Sequence, residues 1–275
     1  MASQEKLHFL DITSSLPVPQ KSWSPNTLRT RMILNYKQIP YTQSYISYPD
    51  IAPLLKSYSL QPLTTGKMPY TLPAITHPKS ITATPSGTMN DSWPIALHLD
   101  KTFPAPEYPP LFPSGRASHA LAVAVQGIIS SLIMRSRRML IPKVPDILDK
   151  AGAEYYRYTR SWKSVYGLPL DQLLAKGEEL EMEWRGFIAD LEVVVKMLKG
   201  HQGKEEVDGP FFEGDRPGYA DFLMVSFFAF VERTDKADFE RMMGVGEGEL
   251  RRLYEACLPW VNGQGEEKSI DIPKK

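Results

Sequence analysis

The run Leu7-His8-Phe9-Leu10-Asp11-Ile12 is short and largely apolar, and predicts a β-strand. A loop rich in Pro and Ser follows it. Ser24-Pro25 then has the form of a helix N-cap with proline at the first helical position, which predicts a helix from Pro25 to Tyr36. Further along, the pattern predicts a strand over Thr42–Ser47, a short helix over Asp50–Tyr58 and a strand over Tyr70–Thr76, with Pro73 at a sheet edge or bulge. A fourth strand is expected around Ser80–Ala83, and a helix over Ser92–Asp100. Beyond residue 115 the period changes: Leu180, Trp184, Phe187, Ile188, Leu191, Val194, Val195 and Leu198 follow the spacing of an amphipathic helix. Tyr219–Val231 and Glu247–Cys257 read as two more helices.

The order β-α-β-α-β-β-α over residues 1–102 predicts an α/β domain of thioredoxin type. Of the 24 prolines, 17 precede residue 116, so Phe103–Pro113 reads as a proline-rich linker into an all-helical domain over residues 114–262. Ala117–Met134 runs 18 residues without an Asp, Glu, Lys or Arg, the length at which a membrane span must be considered. Ser118, His119, Gln126, Gly127, Ser130 and Ser131 interrupt it, and the expectation is a core helix, apolar nearly all round, with no membrane partner. Gly200–Gly209 is expected to be a polar surface loop, and residues 263–275 a disordered tail too polar to pack.

Charge removes some functions. Lys+Arg and Asp+Glu are both 32, a formal charge of zero, which argues against nucleic-acid or anionic-membrane binding driven by net charge. The one cysteine, Cys257, excludes an intrachain disulfide and any CxxC motif, and suggests a reducing compartment. The first residues lack the pattern of a secretory signal, so a cytoplasmic location is expected. His8, His77, His98, His119 and His201 show no paired ligand spacing, and no metal site is expected.

Three constellations have chemical potential. At Ser24-Pro25-Asn26 a hydroxyl stands at a helix N-terminus, where exposed amides and the helix dipole favour an anion and lower a thiol's pKa. On the local pattern alone, a plain capping role for Ser24 is the commoner reading. At Leu72-Pro73-Ala74 a cis bond would turn the backbone of Leu72 toward an incoming peptide, while an ordinary edge-strand proline is the simpler reading. At Asp91-Ser92 a carboxylate and a hydroxyl meet a helix N-terminus, a set suited either to capping or to both charges of an amino-acid end group.

In this order, the three resemble the glutathione S-transferase family. Ser24-Pro25 followed by Arg29-Thr30-Arg31 is similar to the active-site motif of the tau and omega classes, Tyr70–Ile75 to the cis-proline strand, and Asp91–Asp100 to the acid-Ser helix. Phe212–Asp221 resembles the late motif of the second domain, with Gly218 where a Ser or Thr cap is usual. Trp23–Thr27, Leu34–Tyr41 and Tyr48–Ile51 look like the fungal etherase-like, FuA-related branch, which has secondary-metabolism members of the pseurotin-pathway type.

The resemblance implies glutathione as cofactor, a homodimer and a hydrophobic electrophile as second substrate. It makes Ser24 the catalytic, thiol-activating residue. Leu72, Pro73, Asp91 and Ser92 become glutathione-binding positions, with Lys67 and Asn26 as further candidates. Met134, Tyr155 and Tyr158 fall where the family's helices wall the hydrophobic site. The implied function is activation of the glutathione thiolate for attack on a bulky electrophile; the alternatives are a cis–trans isomerase using reversible thiolate addition, and a non-catalytic ligand carrier.

Overall fold

The computed structural model describes residues 6–64, 68–160, 168–200 and 209–273. Its sheet has five strands: β1 (Leu7–Ile12), β2 (Tyr41–Ile46), β3 (Ala74–Thr76), β4 (Thr88–Asn90) and β5 (Glu266–Glu267), in the order β4-β3-β1-β2-β5. β1 pairs parallel with β2 and antiparallel with β3, which pairs antiparallel with β4. The parallel pair is joined by α1 (Pro25–Tyr36), the crossover such a pair requires. Then come α2 (Tyr48–Ser57) after β2 and α3 (Ser92–Thr102) after β4.

The remainder is helical: α4 (Arg116–Ser136), α5 (Lys150–Arg160), α6 (Leu170–Leu173), α7 (Gly177–Lys199), α8 (Tyr219–Thr234), α9 (Lys236–Met243) and α10 (Glu249–Asn262). The first half is thus a thioredoxin-like layer and the second an all-α bundle. They share one core, because α1 packs on α8 and α10 as well as on α3. The linker is pinned from the sheet side. Lys37, buried at the end of α1, donates to the carbonyls of Phe103 (2.9 Å) and Pro109 (2.8 Å) and pairs with Asp100 at 2.8 Å.

Three expectations are corrected. No strand forms over Ser80–Ala83; residues 77–87 make a turn-rich excursion closed by His77 N–H donating to the Gly87 carbonyl at 2.8 Å, and the fourth strand begins at Thr88. The tail is not disordered where it is described: β5 adds a strand to β2, with Thr42 opposite Glu266 and Gln43 opposite Glu267, and Ile270 and Ile272 pack on the core. The first domain is therefore completed by residues 266–272, which follow the helical bundle in the chain. Finally, α4 is not buried all round. Its inner stripe, Ser118, Ala122, Val125, Ile129 and Leu132, faces α7 and α8, while Val123 and Met134 are 61% and 60% exposed. The expected loop at Gly200–Gly209 falls mostly outside the described residues.

Candidate functional site

The loop from β1 delivers Ser24 to the start of α1 in extended backbone (φ −69°, ψ 129°). Its carbonyl accepts from Leu28 N–H at 2.9 Å and from the Thr27 hydroxyl at 3.1 Å, so the backbone makes the helix start. The Ser24 hydroxyl forms no capping hydrogen bond, although the residue is only 5% exposed. Of the two local readings, side-chain capping is therefore not the one adopted. The hydroxyl stands beside the positive end of a 12-residue helix with no acidic residue in its first turn.

The second element is the β3–α3 corner. The Leu72–Pro73 bond is cis, and the Leu72 amide precedes the ladder, making no backbone hydrogen bond among the described residues. Asp91 N–H donates to the Pro73 carbonyl at 3.2 Å, tying the proline to the start of α3. Asp91 has φ +78°, a conformation that costs a non-glycine residue of order 1 kcal/mol or more. Its carboxylate does not cap α3. The strained backbone thus presents an acidic side chain next to helix amides that no side chain among the described residues caps.

These elements meet in a cleft of about 350 Å³ lined by Asn26 and Arg29 from α1, Thr71, Leu72 and Pro73, Asp91, Ser92 and Trp93 from the start of α3, and Gln126 from α4. The structure brings five predicted residues together here: Asn26, Leu72, Pro73, Asp91 and Ser92. Ser24, at the helix start two residues before Asn26, is not one of the lining residues. Arg29 is a site residue to which sequence reasoning assigned no role. It is buried with its Nε donating to the Ser226 hydroxyl at 3.4 Å; burial works against its charge, while Tyr219 and Asp91 favour it. The motif after Ser24-Pro25 contains it without giving it a role, and the further signal is a charge among buried helical positions, where a paired partner is required. Burial also pushes the Tyr219 phenol up to about 12, so it stays protonated and donates to the Ser92 carbonyl at 3.4 Å.

Met134, Tyr155 and Tyr158 are not gathered into this cleft. Met134 lies two turns beyond Gln126, and Tyr158 is 66% exposed. Tyr155 stacks on Tyr48 (6.3 Å between ring centres), which in turn lies 6.3 Å from Trp23, the neighbour of Ser24. An aromatic row consequently runs from the loop before α1 to α5, and the guanidinium of Arg160 sits over the rings of Tyr48 and Tyr156. Lys67 lies outside the described residues.

In the helical domain, the Asp221 carboxylate accepts from Gly218 N–H (2.7 Å) and Phe212 N–H (2.9 Å), so the acid half of the late motif operates without a hydroxyl cap. Burial nevertheless pushes its pKa up to about 7. Cys257 is fully buried in α10, which drives its thiol pKa well up.

Known proteins share this layout. Residues 23–102 match the model of the glutathione S-transferase N-terminal domain, and residues 120–260 that of the glutathione S-transferase C-terminal domain. A glutathione S-transferase-like protein, ustS, from Aspergillus flavus is 48% identical over 272 residues, covering 98% of this chain and 96% of its own. Among solved structures, a glutathione S-transferase of Ceriporiopsis subvermispora in complex with glutathione is 30% identical, with a TM-score of 0.79 over 93% of this chain and 97% of its own. The glutathione transferase GSTFuA3 of Phanerochaete chrysosporium is 26% identical, with a TM-score of 0.78 over 98% of this chain and 99% of its own. The chain, with its uncapped serine at one helix start and its strained aspartate at another, belongs to the glutathione S-transferase family.

Proposed function

We propose that this protein is a transferase that ionises glutathione at the start of α1 and directs it at a bulky electrophilic substrate. The observation that carries the reading is the cleft itself, in which Asp91, Ser92, Leu72 and Pro73 face the first turns of α1. The donor set fits the tripeptide. A carboxylate beside uncovered helix amides complements an ammonium and a carboxylate on one carbon, and a backbone amide outside the ladder is available to a peptide. Glutathione supplies a thiol that becomes the nucleophile on losing its proton.

The protein's part is to hold that charge. Asp91 takes the ammonium, the N-terminus of α3 with Ser92 takes the carboxylate, and Leu72 pairs with the cysteinyl backbone. Ser24 donates to the sulfur, in the field of the α1 dipole. Lowering the thiol by ~2 pKa units is worth about 2.7 kcal/mol, enough to ionise much of it near neutrality. The half-buried rings of Tyr48 and Tyr155, stacked on each other with Tyr48 backed by the buried Trp23, offer an apolar surface for the second substrate. The protein works in the cytoplasm as a homodimer, the family's usual assembly, and the exposed apolar face of α4 is the surface a second copy would cover.

The test is Ser24→Ala. Turnover should fall roughly 10- to 1000-fold, as for loss of one donor to a held anion, with little change in glutathione affinity. Unchanged turnover would give the role to another donor. In parallel, Asp91→Ala should weaken calorimetric glutathione binding by about 2–4 kcal/mol. Product analysis with a conjugated natural-product electrophile then distinguishes a stable adduct, which supports transfer, from a rearranged substrate with glutathione returned, which would make the protein an isomerase.

A further inference from the structure

The loop that carries Ser24 is braced by a polar cluster that takes no part in lining the cleft. Arg31 on α1 and Asp11 on β1 form an ion pair at 2.9 Å with both side chains fully buried. Ser22, two residues before Ser24, donates to Asp11 Oδ2 at 2.5 Å and accepts from Arg31 Nε at 3.1 Å. Strand, loop and helix are thereby tied at one point. A buried pair of this kind holds its geometry only when its remaining donors are satisfied and water is kept out.

The C-terminal tail meets that requirement. Arg31 Nη1 donates to the Gly263 carbonyl at 3.0 Å, besides Gln43 Oε1 at 2.8 Å and the Tyr41 hydroxyl at 3.3 Å, and its Nη2 donates to the Tyr45 hydroxyl at 3.2 Å; the Tyr41 hydroxyl itself reaches the Gly263 carbonyl at 3.4 Å. Asn35 Nδ2 donates to the same carbonyl at 3.0 Å. Gln264 Oε1 accepts from the Tyr45 hydroxyl (2.8 Å) and Gln43 Nε2 (3.0 Å), and Gly265 N–H donates to Gln43 Oε1 at 3.2 Å. The approach is close enough to need glycine. A Cβ at 263 would come within 2.5 Å of the Asn35 amide, and one at 265 within 2.6 Å of the Tyr41 ring. β5 then continues the sheet beyond β2, and the Ser44 hydroxyl donates to the Lys268 carbonyl.

We infer that the tail from Gly263 to Lys268 is a positioning element for Ser24: docked, it completes the hydrogen bonds of Arg31 and seals the Arg31–Asp11–Ser22 cluster that fixes the catalytic loop. This rests on the glutathione reading of the cleft. The sheet order places the tail at the edge opposite β4, far from the β3–α3 corner where Asp91 and Leu72 would hold the tripeptide. Undocking the tail should accordingly alter ionisation of the thiol and not the grip on its end groups, since a shift of about 1 Å at a catalytic group costs up to roughly 100-fold.

The experiment compares the full chain with two variants, Gly265→Val and a chain ending at Asn262, each without ligand and with glutathione. In both, amide hydrogen exchange between Ser22 and Leu28 should quicken roughly tenfold or more while α8 stays protected. The ultraviolet thiolate titration of bound glutathione should move to higher pH, kcat should fall, and calorimetric glutathione affinity should stay within about threefold. A peptide of residues 263–275 added to the shortened chain should restore the titration. Unchanged exchange at Ser22–Leu28 in a folded variant overturns the inference, as does an unchanged thiolate titration. If the shortened chain does not fold, Gly265→Val in the full chain decides by the same readouts. If the unaltered protein shows no thiolate signal, the glutathione reading fails, and the exchange data alone judge whether the tail fixes the loop.

Discussion

α4 and α8 are both long apolar helices, and they have opposite fates. α8 buries 14 of its 16 residues, including Phe222, Phe227 and Phe228 at 0% exposure. α4 has a mean hydropathy of 1.6 over its most apolar 18 residues, long and apolar enough to cross a membrane by composition, yet only 28% of that window is buried. α8 runs through the bundle with α1, α4, α9 and α10 around it, whereas α4 has α7 and α8 on one side only. Hydropathy measures what a helix can bury. Its number of neighbours decides what it does bury, and that number depends on long-range topology.

The contrast can be broken at its strong end. Phe227→Ala removes a ring packed against Phe187 and Phe230, and should cost about 3–5 kcal/mol in denaturant unfolding. A loss below about 1 kcal/mol would mean that α8 is not the centre of the core. Next comes the start of the same helix. Asp221→Asn leaves one of two buried amides without an acceptor and should cost about 1–3 kcal/mol. It should also remove a pH slope. Folded, Asp221 keeps its proton up to about pH 7, whereas the unfolded chain releases it near 3.8, so the folded state binds more protons between these values. Wild-type stability should therefore decline as pH rises from about 4 to 7 and level off above, and the Asn variant should lack this component. The smallest effect on the fold is expected on α4. Val123→Glu, on the outer face, should change stability by no more than about 0.5 kcal/mol. If that face joins two copies, light scattering at micromolar concentration should show the mass halving. An unfolded Val123→Glu protein would mean that the outer face of α4 is core after all.

The parts legible in the sequence are those with a local cause. Pro25 at the first helical position and the apolar spacing from Trp184 to Leu198 need only neighbours within a turn or two, and α1 and α7 form as expected. The cleft residues Asn26, Leu72, Pro73, Asp91 and Ser92 were legible as an ordered set of motifs, since each sits at an element boundary with its own chemical signature. Arg29 had no such signature, because its burial and its closeness to Asp91 arise only when α1 and α3 pack together. The three-residue β4 is too short to show alternation, and the excursion before it, held by Thr88 N–H donating to the Thr84 hydroxyl at 2.9 Å, misplaced the expected strand. The tail failed for another reason. Its pairing is through backbone and glycine, while Glu266 and Glu267 point outward to Lys6 and Lys21, so its polarity looked like that of an unpacked chain.

The burial of Cys257 affects how the protein's chemistry can be followed. It is the chain's one sulfhydryl, it sits at 0% exposure, and its proton is held tightly by an apolar surround. A colorimetric thiol reagent added to native protein should therefore detect no protein sulfur, and any thiol that disappears from an assay mixture is attributable to the added tripeptide. The same reagent becomes a count of unfolded molecules as soon as α10 separates from the bundle.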